Sequence, residues 1–337
     1  MNPTLDEDKK IDRDMRKKVY ITRLLPEEAM RPISAAADVE VWTEDRPVPR
    51  EVLLARIANV DGLLCLLTDK VDMELLNAAK NLCVVSQMAV GVDNIDIASC
   101  LARHIAVGNT PGVLTETTAD LAFGLLLATA RRIVESEQYL RNGDWQTWSP
   151  MLLVGQDVHH STLGLIGMGR IGYEMARRAK GFEMNILYTS RSRHQEVEKD
   201  FGALFVPMST LLTDSDFVSL HTPLTPETKH LLGAAELSQM KQTAYLINTA
   251  RGPVIDHAAL VEALVNRRIA GAGLDVYDLE PLPASDPLLK LDNVVLLPHI
   301  GSASISTRTR MAVLAAVNLI AGINHQPLPY QVKSSPT

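Results

Sequence analysis

One short glycine motif constrains the fold of this chain more than any other feature. Gly167, Gly169 and Gly172 form the pattern Gly-x-Gly-x-x-Gly, directly after the apolar segment Leu163–Ile166 and before a segment with helical periodicity. A strand, a tight glycine turn and a helix in this order form the phosphate-binding end of a βαβ unit. Unpaired N–H groups at the start of such a helix face the bound anion. The motif therefore predicts a dinucleotide-binding fold.

Each glycine of the motif has a separate predicted role. Gly167 permits the tight turn, Gly169 lets the backbone approach a pyrophosphate, and Gly172 lets the helix pack closely on the strand. We expect every residue of the run to contact the cofactor: Gly167, Met168, Gly169, Arg170, Ile171 and Gly172.

Short apolar segments rich in β-branched residues alternate with helical segments along most of the chain. One series begins at Val19, and a second runs from Ser161 to about Ile300 with six predicted strands. Because parallel strands need a crossover long enough to hold a helix, the alternation predicts parallel βαβ units. At 337 residues the chain can form two domains. We therefore predict an α/β protein with two doubly wound parallel-sheet domains, a flavodoxin-like substrate domain and a Rossmann cofactor domain.

The predicted boundaries make the first domain discontinuous. They are a charged N-terminal extension (1–18), the substrate domain (19–112 and 303–337) and the NAD(P)-binding Rossmann domain (113–302). The apolar segment 114–132 is expected to form a buried helix between the domains. The last helical segment, 304–323, follows the completed second sheet, and we expect it to return to the first domain.

The residues after the second strand of the cofactor domain indicate which dinucleotide binds. An NAD-specific site carries Asp or Glu at the end of this strand, whereas here no acid follows Tyr188 before Glu196. Ser190, Arg191 and Arg193 instead offer hydroxyl and guanidinium donors that suit a 2′-phosphate, which a carboxylate would repel. The sequence therefore predicts NADP(H) as the preferred cofactor, with weaker binding of NAD(H).

Polar side chains follow three late strands of the second domain. Arg251, Glu280 and His299 each come shortly after an apolar strand segment. Because ligands bind at the carboxyl ends of parallel strands, we expect this cation, carboxylate and imidazole to meet at one edge of the sheet.

Several further motifs occur in the order found in one known family. They are Val90–Asp96, Asn109–Thr115, the glycine motif, Asn248–Gly252, Gly271–Val276, Glu280-Pro281 and Pro298–Ser302. Over residues 19–332 the chain resembles the D-isomer-specific 2-hydroxyacid dehydrogenases, and most closely their glyoxylate/hydroxypyruvate reductase branch. The resemblance implies NADPH-dependent reduction of a small 2-keto acid, glyoxylate or hydroxypyruvate, to glycolate or D-glycerate. It also implies a homodimer.

The resemblance assigns roles to the three polar side chains. His299 is the general acid that protonates the developing alkoxide. Glu280 hydrogen-bonds the other ring nitrogen and favours the imidazolium form, while Arg251 pairs with the substrate carboxylate. The implied substrate-binding residues are Val90 and Gly91, through their backbone N–H groups, with Arg251, His299 and Ser302.

The resemblance also implies cofactor contacts outside the glycine motif. Thr118 would lie by a phosphate or ribose, Asp275 would accept from the nicotinamide carboxamide, and His221 would pack on the cofactor rather than act as a second acid. The remaining implied contacts are Thr222, Pro223, Thr228, Thr249 and Ala250. A turn-rich segment carrying Trp145 and Trp148 either seals a local core or forms an arm that packs on a second subunit.

Composition excludes several other classes of protein. A net charge of −7 provides no basic field to hold a nucleic acid. The three cysteines are too widely spaced for a disulfide framework or a zinc site, so no metal is expected. No run of about 18 apolar residues is present, and the first residues lack the apolar core of a signal peptide. We therefore expect a cytoplasmic protein without a membrane partner.

Two alternatives remain open. A 2-ketogluconate or other sugar-acid reductase would use the same chemistry, and the walls near Cys65–Leu67 and Met88 would decide between the substrates. A dinucleotide-sensing, corepressor-like binding protein is the alternative from another class. Such a protein is expected to prefer NAD(H), which the Ser190–Arg193 pattern disfavours.

Overall fold

Parallel strands form two separate sheets in the computed structural model, which describes residues 16–333. Residues 1–15, which are most of the predicted charged extension, and residues 334–337 lie outside the described residues. Contacts within the chain divide it into two compact units. One consists of residues up to Leu114 with those from Ser304 on, and the other of Thr115–Ala303.

The first unit contains a five-stranded parallel sheet. Its strands are β1 (Lys18–Ile21), β2 (Asp38–Val41), β3 (Gly62–Cys65), β4 (Val84–Gln87) and β5 (Ala106–Gly108). They lie in the order β2-β1-β3-β4-β5, which is the flavodoxin order. Its helices are Glu27–Ala36, Arg50–Ile57, Met73–Ala78, Ile97–Ala102 and Ile305–Ile323. The predicted flavodoxin-like fold is confirmed.

Apolar side chains cover both faces of this sheet. Leu63 and Leu64, adjacent on β3, are both fully buried and belong to different core clusters. The last described helix, Ile305–Ile323, supplies Ala315 and Leu319 to the second of these clusters. Burial on both faces explains why the strands read as continuous apolar runs rather than as an alternating pattern.

The second unit contains a seven-stranded parallel sheet. Its strands are β6 (Thr162–Ile166), β7 (Asn185–Thr189), β8 (Leu204–Phe205), β9 (Phe217–Leu220), β10 (Tyr245–Asn248), β11 (Gly271–Leu274) and β12 (Val294–Leu296). Its helices are Thr115–Ala130, Ile133–Arg141, Arg170–Gly181, Gln195–Phe201, Met208–Asp214, Ala234–Gln239 and His257–Val265. The order β12-β11-β10-β9-β6-β7-β8 is that of a Rossmann fold extended by one strand, so this part of the fold prediction is also confirmed.

The predicted number of six strands in this sheet is wrong, because β8 was not anticipated. β8 has only two residues, and both are exposed. A strand of two residues is too short to show the period-two alternation by which a strand is predicted.

The topology of the second sheet fixes where a ligand binds. β7 and β8 lie on one side of β6, whereas β9–β12 follow on the other side. The crossovers therefore leave β6 in opposite directions and open a crevice at the carboxyl ends of β6 and β9. The glycine motif follows β6, and His221 follows β9. Among the described residues, no helix has the length and apolar character needed to cross a bilayer.

Candidate active site

The glycine motif adopts the conformation that a dinucleotide cradle requires. Gly167 has a φ of 97°, and a Cβ there would lie 2.6 Å from the carbonyl oxygen of His221. A Cβ at Gly172 would lie 2.3 Å from the carbonyl oxygen of Gly167, so the helix can approach this turn only without a side chain. A Cβ at Gly169 would meet no atom within 4 Å, so the space at the helix start is open. These positions fit a pyrophosphate held by the first turn of the helix Arg170–Gly181.

The loop after β10 gives a second sign that a polar ligand fits this edge. The Oγ1 atom of Thr249 is buried and has no hydrogen-bond partner within residues 16–333. A buried hydroxyl without a partner is costly, and a bound polar group would satisfy it. Asn248 shapes the same loop, because its side chain accepts from the N–H of Ala250 and donates to the carbonyl of Arg251.

His299 and Glu280 form the closest contact among the predicted catalytic residues. Nδ1 of His299 lies 2.6 Å from Oε2 of Glu280, and the N–H of Tyr277 donates to Oε1 at 2.9 Å. Burial acts to raise the pKa of Glu280, but the hydrogen bond and charge of His299 outweigh it and lower that pKa. The carboxyl group is therefore ionised at neutral pH and can only accept. The proton of this bond belongs to Nδ1, which directs Nε2 away from the carboxylate.

His299 also has an unusual backbone conformation. Its φ of 54° lies in the left-handed region, which a residue with a side chain seldom adopts. Such strain persists only where the surrounding structure enforces it, and it is common at functional sites. The enforcing contact is Asp275, whose two carboxylate oxygens accept from the N–H groups of Ile300 and Gly301 at 2.7 and 2.8 Å.

Asp275 therefore fixes the loop that carries His299. It is buried, and burial raises its pKa, an effect that the two backbone hydrogen bonds and the charge of His299 partly offset. Its predicted contact with the nicotinamide carboxamide stays a prediction. Thr118 is buried next to the same loop, with its methyl group 3.4 Å from the position of a Cβ at Gly301. Ser302 follows this loop and is half-buried.

Arg251 follows β10 and lies close enough to influence Glu280. Its positive charge helps to lower the pKa of Glu280, and its Nη1 donates to the carbonyl of Ala250 at 2.7 Å. Gly252 makes the close approach possible, because a Cβ there would lie 1.9 Å from the carbonyl carbon of Tyr277. The loops after β10, β11 and β12 thus bring a cation, a carboxylate and an imidazole to one edge of the sheet.

His221 lies in the crevice and is held in the neutral form. Burial lowers its pKa to about 3. Its ring atom Nε2 is 2.9 Å from Oγ of Ser219, and its backbone N–H donates to the carbonyl of Ile166. A general acid must carry the extra proton of an imidazolium, which a neutral imidazole lacks. His221 therefore suits a packing role better than the role of an acid.

The turn that follows His221 is stabilised internally. Thr228 donates from Oγ1 to the carbonyl of Pro223 at 2.6 Å and accepts from the N–H of Thr225 at 2.7 Å. The N–H of Thr222 lies beside the glycine turn, 2.9 Å from the position of a Cβ at Gly167. Thr222 thus lies beside the cradle, and the hydrogen bonds of Thr228 hold the turn that follows it.

The residues predicted to bind a 2′-phosphate have protein partners in this structure. Arg193 forms an ion pair with Glu198, through Nε to Oε1 and Nη2 to Oε2, each at 2.8 Å. The hydroxyl of Ser190 donates to the carbonyl of Ser192. The pKa of Glu227 is lowered, chiefly by a hydrogen bond with Thr225, and the charge of Arg191 contributes to the same shift. Sequence reasoning did not foresee the Arg193–Glu198 pair.

The loop after β4 in the first unit carries Val90 and Gly91. The carbonyl of Val90 accepts from the side chain of Asn109 at 2.8 Å, and that of Gly91 accepts from Gln87 at 3.3 Å. Gln87 is fully buried and also donates to Asn94 at 2.6 Å. The loop is therefore well braced, and binding of a carboxylate by its N–H groups stays a prediction.

Comparison with known proteins identifies the family. The family model described as D-isomer specific 2-hydroxyacid dehydrogenase, NAD binding domain, matches residues 123–301. A glyoxylate reductase of Korarchaeum cryptofilum is 52% identical over 308 residues, covering 91% of this chain and 93% of that protein. A second, from Thermococcus litoralis, is 52% identical over 311 residues, covering 91% of this chain and 94% of that protein.

A solved structure gives the same result. The NADPH-dependent glyoxylate/hydroxypyruvate reductase of Sinorhizobium meliloti, in complex with NADP and malonate, has a TM-score of 0.81 and 33% identity. The match covers 95% of this chain and 98% of that one. The chain belongs to the D-isomer-specific 2-hydroxyacid dehydrogenase family. It is therefore an oxidoreductase acting on a hydroxy acid, with an NAD(P)-binding domain.

The tryptophan segment of this dehydrogenase does not form a local core. Trp145 and Trp148 are 56% and 76% exposed, and Met151 is 74% exposed. The preceding helix, Ile133–Arg141, has no buried residue. Of the two alternatives for this segment, the one in which the rings seal a local core is therefore wrong. An exposed apolar surface of this kind suits a protein partner.

Tyr277 is a further residue of the dehydrogenase site that sequence reasoning did not single out. Its hydroxyl lies 2.9 Å from the carbonyl of Leu297 and 3.2 Å from that of Leu274, at the ends of β12 and β11. Burial raises its pKa to about 12, so it remains a donor. Tyr277 directly follows the motif Gly271–Val276, but only the fold shows that it joins the two strand ends.

Proposed function

We propose that the protein reduces glyoxylate or hydroxypyruvate to glycolate or D-glycerate, with NADPH as its preferred reductant. The observation that carries the proposal is the 2.6 Å contact between His299 and Glu280, on the same sheet edge as Arg251. The relatives named glyoxylate reductase, together with the NADPH-dependent reductase of similar structure, support the choice of substrate and cofactor.

The proposed chemistry assigns the proton to His299. When bound, the reduced nicotinamide supplies a hydride to the keto carbon. His299, as the imidazolium, donates the proton of Nε2 to the keto oxygen as negative charge develops there. Glu280 keeps the second proton on Nδ1 throughout, since its carboxylate is ionised. Solvent then returns a proton to Nε2 for the next turnover.

Arg251 supplies binding and polarisation in this proposal. Its planar guanidinium pairs with the substrate carboxylate and stabilises the negative charge that forms on the neighbouring oxygen. Val90 and Gly91 are proposed as further ligands of the carboxylate through their N–H groups. Asp275 and Tyr277 act through the loops that they fix rather than on the substrate itself.

The cofactor preference rests on the end of β7. Thr189 ends this strand where an NAD-specific site carries an acid, so no carboxylate of the strand repels a 2′-phosphate. Ser190 and Arg191 directly follow and supply a hydroxyl group and a positive charge.

We also propose that the arm around Trp145 and Trp148 packs on a second copy of the chain to form a homodimer. Exposed aromatic side chains of this size are typical of the buried centre of a protein interface. Sedimentation equilibrium at micromolar concentration is expected to give a dimer, and Trp148→Glu to give monomers. A wild-type protein that sediments as a monomer would rule the interface out.

Steady-state kinetics test the function directly. The purified protein is supplied with glyoxylate, hydroxypyruvate or 2-ketogluconate, each with NADPH and with NADH. We expect the highest kcat/KM with glyoxylate or hydroxypyruvate and NADPH. A preference for 2-ketogluconate would transfer the assignment to sugar-acid reduction, and nucleotide binding without turnover of any keto acid would contradict the enzymatic proposal.

A further inference from the structure

Glu198 occupies an unusual position beside the predicted phosphate site. Both of its carboxylate oxygens face Arg193, and Tyr188 donates its hydroxyl proton to Oε1 at 2.7 Å. The side chain of Glu198 is only 17% exposed, whereas that of Arg193 is 65% exposed. The guanidinium of Arg193 is therefore exposed to solvent, while it is hydrogen-bonded to a carboxylate that is largely buried.

The anchoring of Glu198 is rigid. The ring of Tyr188 is buried and packs against Phe205 with ring centroids 5.3 Å apart, and its oxygen accepts from the N–H of His194 at 2.8 Å. The hydrogen bonds from Arg193 and then from Tyr188 lower the pKa of Glu198, so the carboxylate is charged at neutral pH. A fixed, charged carboxylate is a persistent competitor for the guanidinium.

We propose that Glu198 is a specificity-determining residue, which holds Arg193 and thereby limits the preference of this protein for NADPH over NADH. This inference rests on the proposed function, in which the loop after β7 receives the 2′-phosphate. A carboxylate and a phosphate bind the same paired N–H groups of a guanidinium, so Glu198 takes the donors that a 2′-phosphate would use.

Arg191 lies on the same loop as Arg193. Its charge helps to lower the pKa of Glu227, after the larger effect of the Thr225 hydrogen bond. In this proposal Arg191 binds the 2′-phosphate in the wild-type protein, while Arg193 contributes only when Glu198 releases it.

Nucleotide binding tests this division without any need for turnover. The probes are 2′,5′-ADP and ADP, measured by titration calorimetry on the full chain. Glu198→Gln keeps the shape and the hydrogen bond from Tyr188 but removes the charge. We expect about tenfold tighter binding of 2′,5′-ADP, the effect of one freed charge-assisted hydrogen bond, with ADP affinity unchanged.

A double-mutant cycle locates the effect. In the wild-type protein Arg193→Ala is expected to change 2′,5′-ADP binding little, whereas in the Glu198→Gln background it is expected to abolish the gain. Asp200→Asn is the matched control, because Asp200 lies on the same helix, is exposed and pairs with Tyr173 instead. It removes the same charge and is expected to leave the ratio of the two affinities unchanged.

Either of two results would overturn the role of Glu198. One is 2′,5′-ADP affinity that is unchanged or weakened in Glu198→Gln at an unaltered Tm, and the other is a gain that survives removal of Arg193. Failure of the proposed function is a separate result. If the cycle behaves as expected but glyoxylate and hydroxypyruvate are not reduced, the substrate assignment is wrong and the role of Glu198 stands.

Discussion

Two ends of one sheet edge are built in different ways. At the end that carries His299, backbone N–H groups donate to two carboxylates. The hydrogen bond to Glu280 holds the partner of His299, and those to Asp275 hold the loop of His299. At the adenosine end, Arg193 and Glu198 hold one another through side chains on an exposed loop. In the proposed function, the residues of the reaction are anchored to the main chain, whereas the choice of cofactor depends on ion pairs that a single substitution can rearrange.

The largest expected effect is at the catalytic end. His299→Ala removes the proposed acid, and we expect kcat to fall by about 10²–10⁴-fold with little change in nucleotide affinity. His160→Ala, at an exposed imidazole that pairs with Glu183, is the control and is expected to leave kcat unchanged. A variant of His299 with wild-type kcat would eliminate it as the acid.

Gly252→Ala tests whether the backbone contact between loops maintains the site. The added Cβ would lie 1.9 Å from the carbonyl carbon of Tyr277, so the loops of Arg251 and Glu280 must separate. We expect a loss of stability of about 1–3 kcal/mol in urea unfolding, together with a lower kcat. Gly124→Ala is the control, because a Cβ there meets nothing within 4 Å in the middle of a helix. Equal behaviour of the two variants would contradict the account.

Glu280→Gln separates the charge of the partner from its shape. The hydrogen bond and charge of His299 outweigh burial and lower the pKa of Glu280, so the carboxylate is charged in the wild-type protein. A neutral amide in its place no longer requires the proton of this bond to stay on Nδ1 of His299. We expect kcat to fall while nucleotide affinity stays unchanged. A variant with wild-type kcat would show that the charge of Glu280 does not contribute to the reaction.

Glu280 also links the site to stability in acid. Its folded-state pKa is lowered, so the stabilisation is present above the ordinary value of 4.5 and is lost as pH falls through the folded pKa. His299→Ala removes the group that lowers this pKa, so we expect the variant to lose less stability than the wild-type protein below pH 4.5. The free energy of unfolding of both proteins across that range is the measurement, and parallel curves would contradict the linkage.

The smallest expected effect is at the adenosine end. Arg191→Ala is expected to raise the KM for NADPH by about tenfold and to leave that for NADH nearly unchanged, because only the former carries the 2′-phosphate. Arg177→Ala is the control, since its guanidinium lies over the ring of Tyr173. Equal losses with both cofactors would refute the phosphate assignment and weaken the contrast between the two ends.

The contrast also explains what could be predicted from the sequence. Buried strands such as Phe217–Leu220 are continuous apolar runs, and a strand-turn-helix order around Gly167 specifies the cradle. Those features are local, and the predicted fold was confirmed. The positions of Arg251, Glu280 and His299 after three strands were also readable, since neighbouring parallel strands bring their carboxyl ends together.

Features without a local sequence pattern could not be predicted. β8 has only two residues, too few for a recognisable period. The helix Ile133–Arg141 carries apolar residues but buries none of them, and this exposure is seen only in the fold. The pairing of Arg193 with Glu198 depends on the turn that brings them together and on competition among neighbouring charges. The acceptors of Tyr277 and the donors to Asp275 are backbone groups, which no residue type identifies in advance.

The central claim is that the imidazole of His299 faces the keto oxygen of a bound substrate. A crystal structure of the protein with NADP and oxamate, a non-reacting analogue of a small 2-keto acid, measures this directly. We expect Nε2 of His299 to lie about 3 Å from the carbonyl oxygen of oxamate, with Nδ1 still hydrogen-bonded to Glu280. An imidazole turned away from the ligand, or an intervening residue in that position, would contradict it.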